Sequence, residues 1–117
     1  MTRQQVIDFV SEVFGIQPDY PFDKEFKTAI FRHKQNRKWF GAIILVRKNK
    51  LCGKESRIVD VLDVKVDPLL KEALLSKKGI YPAYHMNKVH WVSVLLEEAE
   101  EQDVKTLLEL SYALTKK

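Results

Sequence analysis

Ten consecutive positions, PAYHMNKVHW at residues 82–91, hold two histidines, two aromatic rings, a methionine, an asparagine and a lysine. His85 and His90 are candidate general bases, and Ser93 and Cys52 are the candidate nucleophiles to set beside them. Nucleophilic catalysis needs a nucleophile next to a base that a carboxylate orients, and no such spacing and no G-x-S-x-G turn is present. The four glycines, at 15, 41, 53 and 79, form no loop that cradles a phosphate. The sequence therefore argues for a protein that is not an enzyme. A metal centre is also disfavoured. His85 and His90 are five residues apart, which points them to opposite faces of a strand. A turn at Asn87-Lys88 would bring them together, but a third ligand is missing nearby, His33 is far away in sequence, and a lone Cys52 supplies no thiolate pair. No cofactor is expected. A small-molecule site around His85, Lys88 and His90 would require a concavity there.

The alternative reading of the same stretch is a tightly specified corner. Pro82 fixes a turn, Asn87 tolerates the left-handed conformation, and Trp91 is expected to plug the core. His85 or His90, half-buried, would hydrogen-bond backbone groups across the corner. Lys88 is then the side chain most free to face a partner.

A second signal is charge. From Lys24 to Arg57 eleven Lys or Arg face only Glu25 and Glu55, although the whole chain carries a net charge of only +4. The remainder is net acidic, with Glu97, Glu98, Glu100, Glu101 and Asp103 clustered. Arg32, Lys34, Arg37 and Lys38 crowd one polar tip; Arg47, Lys48, Lys50, Lys54 and Arg57 populate the next loop. Two cationic β projections of this kind are suited to straddle DNA and contact its phosphates. Phe31, Trp39 and Phe40 interleave with them, but their strand setting favours core packing over base stacking. The competing explanation for the lysines is protection of exposed strands from aggregation.

These residues need elements to position them. At 117 residues the chain is expected to be a single domain, 1–117, large enough to bury a core without staples. No apolar run is long enough to span a bilayer, no secretory signal opens the chain, and one cysteine suits a reducing compartment, so a cytoplasmic location is expected. Thr2 caps a first helix carrying Val6, Phe9, Val10 and Val13, which Gly15 ends. IQPDYPF is a loop or an edge approach. Lys27–His33 and Trp39–Val46 read as strands joined by the polar tip KQNRK, the second apolar on both faces from Ile43 to Val46. A third strand runs from Ile58 to Val66, with Asp60 near an end or partnered. Asp67-Pro68 starts a short helix carrying Leu69, Leu70, Ala73 and Leu74, which ends through Lys77, Lys78 and Gly79. His90–Leu96 reads as the last strand, and a helix from about Gln102 buries Val104, Leu107, Leu108 and Leu114. The order α, β, β, β, α, β, α predicts an α+β domain, a mostly antiparallel sheet packed by N-terminal, middle and C-terminal helices.

The stretch from Val59 to Leu96, followed by VKTLLELSYALTKK, resembles the MmcQ/YjbR family. The elements that carry the resemblance are Lys65 with Asp67-Pro68, Gly79-Ile80 and Pro82, Tyr84-His85-Met86-Asn87-Lys88, His90-Trp91 and Ser111-Tyr112. KWFGAIILV looks like the family's earlier strand. Val66 departs from the pattern, since many members have cysteine between the Lys and the Asp-Pro. The resemblance implies a compact fold similar to frataxin-like and secretion-chaperone-like architectures, and a DNA-binding role through a double-wing arrangement. The leading expectation is a small non-catalytic DNA-binding protein; the alternative is a protein- or peptide-binding adaptor.

Overall fold

The computed structural model of the chain describes residues 1–22 and 27–117. Lys24 and Glu25, which open the basic stretch, lie outside the described residues. The first helix, α1 (Arg3–Phe14), begins in a capping box: the Thr2 hydroxyl accepts from Gln5 N, and Gln5 reaches back to Thr2 N. It ends at Gly15, whose left-handed backbone (φ +66°) returns its N–H to the Ser11 carbonyl. Val6 and Val10 are buried, whereas Val13, expected on the same face, is half exposed.

Among the described residues five antiparallel strands follow: β1 (Ala29–Arg32), β2 (Trp39–Arg47), β3 (Ile58–Lys65), β4 (Ile80–Pro82) and β5 (Trp91–Leu95), in the spatial order β1-β2-β3-β5-β4. A helix-like segment at Pro68–Leu70 leads into α2 (Lys71–Leu75), and α3 (Glu101–Thr115) closes the domain. Asp67 caps the segment, accepting from Leu69 N at 2.9 Å, as the Asp-Pro pair predicts. The α+β class is as expected, with one addition. Strand β4 was not foreseen, because a three-residue strand ending in proline carries no periodicity. Its place at the sheet border explains why proline is tolerated there. Asp19 lies along the other border and exchanges both backbone hydrogen bonds with Ile30. Among the described residues no helix is long and apolar enough to cross a membrane.

The alternation of side chains gives the sheet two different faces. One face carries Ile43, Leu62, Val64, Val92 and Val94 and buries them under Val6 and Val10 of α1 and Val104, Leu107 and Leu108 of α3. Phe14, Phe40, Tyr112 and His33 fill the end of that layer, with Phe14 and Tyr112 stacked at 4.3 Å between ring centres. The other face carries Val46, Val59, Val61 and Leu95 and is covered by loops, which contribute Leu51, Cys52 and Tyr84. Burial of β2 on both faces is therefore correct for Ile43 and Val46. It fails for Leu45, which lies beyond the helical layer and is exposed. Asp60, opposite Leu45, has the partner that its register demanded: Arg3 reaches it from α1 at 2.8 Å. Leu114 is exposed instead of buried, and Leu69, in the Pro68–Leu70 segment, is 90% exposed.

Ser111 ties α3 to the sheet. Its buried hydroxyl donates to the Phe40 carbonyl at 2.6 Å and accepts from Lys65 N at 2.9 Å, bridging β2 and β3 where their ladder ends. Ser111→Ala leaves both backbone groups without partners, so a loss of about 2 kcal/mol is expected in a urea titration.

Candidate nucleic-acid interface and signature corner

The two basic groups do not converge. Lys34, Arg37 and Lys38 lie at the β1–β2 tip, where β2 begins; Arg47 to Arg57 lie where β2 ends. Nine residues of extended chain separate them, about 26 Å at the usual strand rise. Several cations are also spoken for. Asp19 pairs with Arg32 at 3.1 Å and with Arg37 at 3.6 Å, and Arg32 lies over the Trp39 ring. Arg57 forms ion pairs with Glu55 and Glu97, and Lys48 lies 3.4 Å from Glu55 and 3.7 Å from Glu97. Arg47 donates to the Ser56 carbonyl. At the Arg47 end only Lys50 and Lys54 are exposed without an ion pair or a hydrogen-bonded carbonyl among the described residues. The two basic projections therefore form no continuous cationic surface: the register of a single strand holds them apart. Phe31 and Phe40 are buried in the core, which removes them as base-stacking rings, and Trp39 is half-buried.

The tip gains other neighbours instead. Lys38 Nζ donates to the backbone oxygen of Lys117, and Asn36 Nδ2 donates to the Thr115 carbonyl at 2.9 Å, so the C-terminal end of α3 docks on the hairpin tip. Lys34 and Lys116 rim a dent of about 200 Å³ lined by Phe14, His33 and Tyr112. Burial holds His33 below the usual imidazole range, and the charges of Lys116 and Lys38 push the same way against a hydrogen bond with the Tyr112 backbone. Lys34, Lys116 and Lys117 have no carboxylate side chain as a partner among the described residues, while Lys38 is held by the backbone oxygen of Lys117. Sequence reasoning missed Lys116 and Lys117 because 79 residues separate Lys38 from Lys117. The only available signal was the run of two lysines ending an amphipathic helix.

The stretch PAYHMNKVHW is a corner between β4 and β5. Asn87 Oδ1 accepts from Val89 N at 2.8 Å and His90 N at 3.3 Å, and the Asn87 carbonyl accepts from Trp91 N. The left-handed residue is His85 (φ +69°), not Asn87, whose side chain builds the turn instead. Lys88 is exposed but committed: its ammonium donates to the Ala83 carbonyl at 3.1 Å. His85 and His90 are exposed, and among the described residues neither ring makes the backbone hydrogen bond expected of it; His85 packs on the Tyr84 ring at 4.0 Å. Trp91 is half-buried rather than a core plug.

The corner is anchored from below. Tyr84 N donates to Ser93 Oγ at 2.8 Å, and Ser93 Oγ donates to Asp63 Oδ1 at 2.5 Å. Asp63 is 1% exposed on β3, directly opposite Ser93 of β5. Burial pushes its carboxyl up to about 7, against the Ser93 hydrogen bond, which favours the ionised form. Asp63 escaped sequence reasoning; the legible signal was an acid at an inward position of the apolar run IVDVLDVKV. Ser93 was weighed only as a nucleophile. No cluster of three or more metal-ligating side chains occurs among the described residues.

Together these features define a small α+β domain with a five-stranded antiparallel sheet, helices on one face, loops on the other and a corner fixed on a buried Asp–Ser pair. The chain belongs to the YjbR family, whose model matches residues 12–114. It is 38% identical to the uncharacterized protein YyaQ of Bacillus subtilis across 99% of both chains. The crystal structure of a Pseudomonas syringae protein is similar at a TM-score of 0.93, with 41% identity over 98% of this chain and 99% of that one. A Deinococcus radiodurans protein, DR2400, shares the fold at a TM-score of 0.71 and 24% identity, covering 99% of this chain and 79% of that chain.

Proposed function

We propose that the protein is a non-catalytic DNA-binding module that grips phosphates with one end of the molecule, formed by Lys34, Arg37 and Lys38 of the hairpin tip with Lys116 and Lys117 of the C-terminus. The observation that carries this reading is the docking of the last residues of the chain on the tip, which concentrates cations from two distant segments, three of them, Lys34, Lys116 and Lys117, without a carboxylate side chain as a partner among the described residues. Like charges held together in this way cost stability unless an anion neutralises them, and a phosphate backbone does so with release of counterions. With about four phosphates engaged, log K against log salt is expected to fall with a slope of about −3 to −4. Fluorescence anisotropy with a random duplex at two ionic strengths measures it. The combined variant Lys34→Glu, Arg37→Glu, Lys38→Glu and Lys116→Glu is expected to abolish binding, while Lys50→Glu with Lys54→Glu, at the far end of β2, leaves most of it. Binding that ignores salt, or that survives the first variant, overturns the proposal.

One observation favours the adaptor reading. Leu70, Leu74, Leu110 and Leu114 line an apolar groove of about 380 Å³ between α2 and α3. Absence of salt-dependent duplex binding would make that groove the better guide to function.

A further inference from the structure

A cavity of about 320 Å³ lies beneath the signature corner, on the loop-covered face of the sheet and outside the cationic end. Its floor is a single row across three strands, Ile30, Ala42 and Asp63, which stand opposite one another in register. Trp39 and Phe22, with ring centres 5.8 Å apart, stand on one side, and Met86 and His85 reach in from the corner.

Asp63 decides what the cavity fits. Its Oδ1 is taken by Ser93, but its buried Oδ2 has no hydrogen-bond partner among the described residues. A buried carboxyl oxygen left unpaired is costly, and native proteins seldom leave one without a use. We propose that this cavity binds a small arylalkylamine, with its ring against Trp39, Phe22 and Met86 and its ammonium N–H donated to Asp63 Oδ2. A single free oxygen suits an ammonium, whose donors sit on one nitrogen, better than an amidine or a guanidine, whose donors are spread over two or three. An anionic ligand would meet the carboxyl and no cation, because no Lys or Arg lines the cavity among the described residues. The guanidinium beside Trp39, that of Arg32, is held over the indole ring and by Asp19. Aromatic faces and a thioether around an organic cation add attraction of their own. The buried carboxyl, raised by desolvation, gives up its proton when the ammonium arrives to offset its charge. His85, a left-handed residue, lines the cavity wall.

The test is a titration of the ¹⁵N-labelled full chain with 2-phenylethylamine, followed by its amide spectrum, beside the anionic comparator 3-phenylpropionate. Saturable shifts centred on Ala42, Asp63, His85 and Met86 are expected with the amine and none with the acid. Asp63→Asn is expected to weaken amine binding at least tenfold, and Met86→Trp to block it by filling the cavity. Equal binding of the acid, no saturable shift with the amine, or full affinity in Asp63→Asn overturns the proposal. The charge-reversed tip variant is expected to bind the amine as the parent does, so this proposal and the DNA-binding one fail independently.

Discussion

Gly79→Ala is expected to destabilise the domain by about 3–5 kcal/mol, lowering its thermal midpoint by roughly 10–20 °C. Two causes add. Gly79 has φ +81°, a left-handed backbone that costs an alanine about 1–2 kcal/mol. The larger cause is space: a Cβ at this position would lie 2.5 Å from Ala99 N, 2.7 Å from its Cα and 2.8 Å from its Cβ. These are largely backbone atoms and cannot swing aside. The turn that carries Ala99 is held by its N–H to the Leu95 carbonyl, and Leu95 N in turn donates to the Gly79 carbonyl at 2.8 Å. Moving either partner therefore loosens the β4–β5 pair and the entry to α3 together. Gly53→Ala is the control, since Gly53 has a similar φ of +66° with nothing within 4 Å of the added carbon. It should cost only the backbone share, about 1 kcal/mol. Equal losses in the two variants would show that the close approach to Ala99 carries no weight.

Asp63→Asn is expected to stabilise the protein at pH 8 and to leave it unchanged or slightly weaker at pH 5. In the folded protein burial raises the Asp63 carboxyl to about 7, while in the unfolded chain it titrates near its ordinary value of 3.8. Well below pH 3.8 both states are protonated and nothing is lost. As the pH rises from there to about 7 the unfolded chain releases its proton first, so the fold loses stability, and above about 7 the loss is complete. A rise of that size sets an upper bound of about 4 kcal/mol on the loss. Asparagine removes this loss but buries an amide N–H without a partner, a cost of about 1–3 kcal/mol, so a net gain of about 1–3 kcal/mol at pH 8 is expected. His33 works in the opposite direction: its lowered value gives stability that is present above about 6.5 and lost as the pH falls. Comparing variant with parent at each pH cancels the His33 contribution. Urea midpoints at pH 5 and pH 8 measure the difference, and an Asp63→Asn variant weaker than the parent at pH 8 would show that the carboxylate is stabilised rather than strained.

Much of the frame was legible because local chemistry and tertiary packing agree there. Thr2 and Gly15 bracket α1, Asp67-Pro68 marks the break after β3, and alternation locates β2 and β3. What was hidden is long-range. Asp60 and Asp63 stand on the same strand three residues apart, and a period of two sends them to opposite faces. The helical face announces itself by the periodicity of α1 and α3, so the need of Asp60 for a partner was visible. The other face is covered by loops, which have no periodicity, and the burial of Asp63 and Ser93 there could not be read along the chain. The cationic tip shows the same limit. Nearness in sequence grouped Arg32 with Arg57, whereas nearness in space groups Lys38 with Lys117.

The borders of the sheet have a consequence for solubility at high concentration. Fibrils and runaway oligomers grow when a second molecule adds its own extended chain to an unsatisfied outer row of N–H and C=O groups. Here Asp19 already occupies Ile30 on one side, and on the other the row is three residues long and ends at Pro82, which has no proton to offer. Among the described residues, zippering by main-chain addition is therefore disfavoured at both flanks, so contact between copies falls to side-chain surfaces.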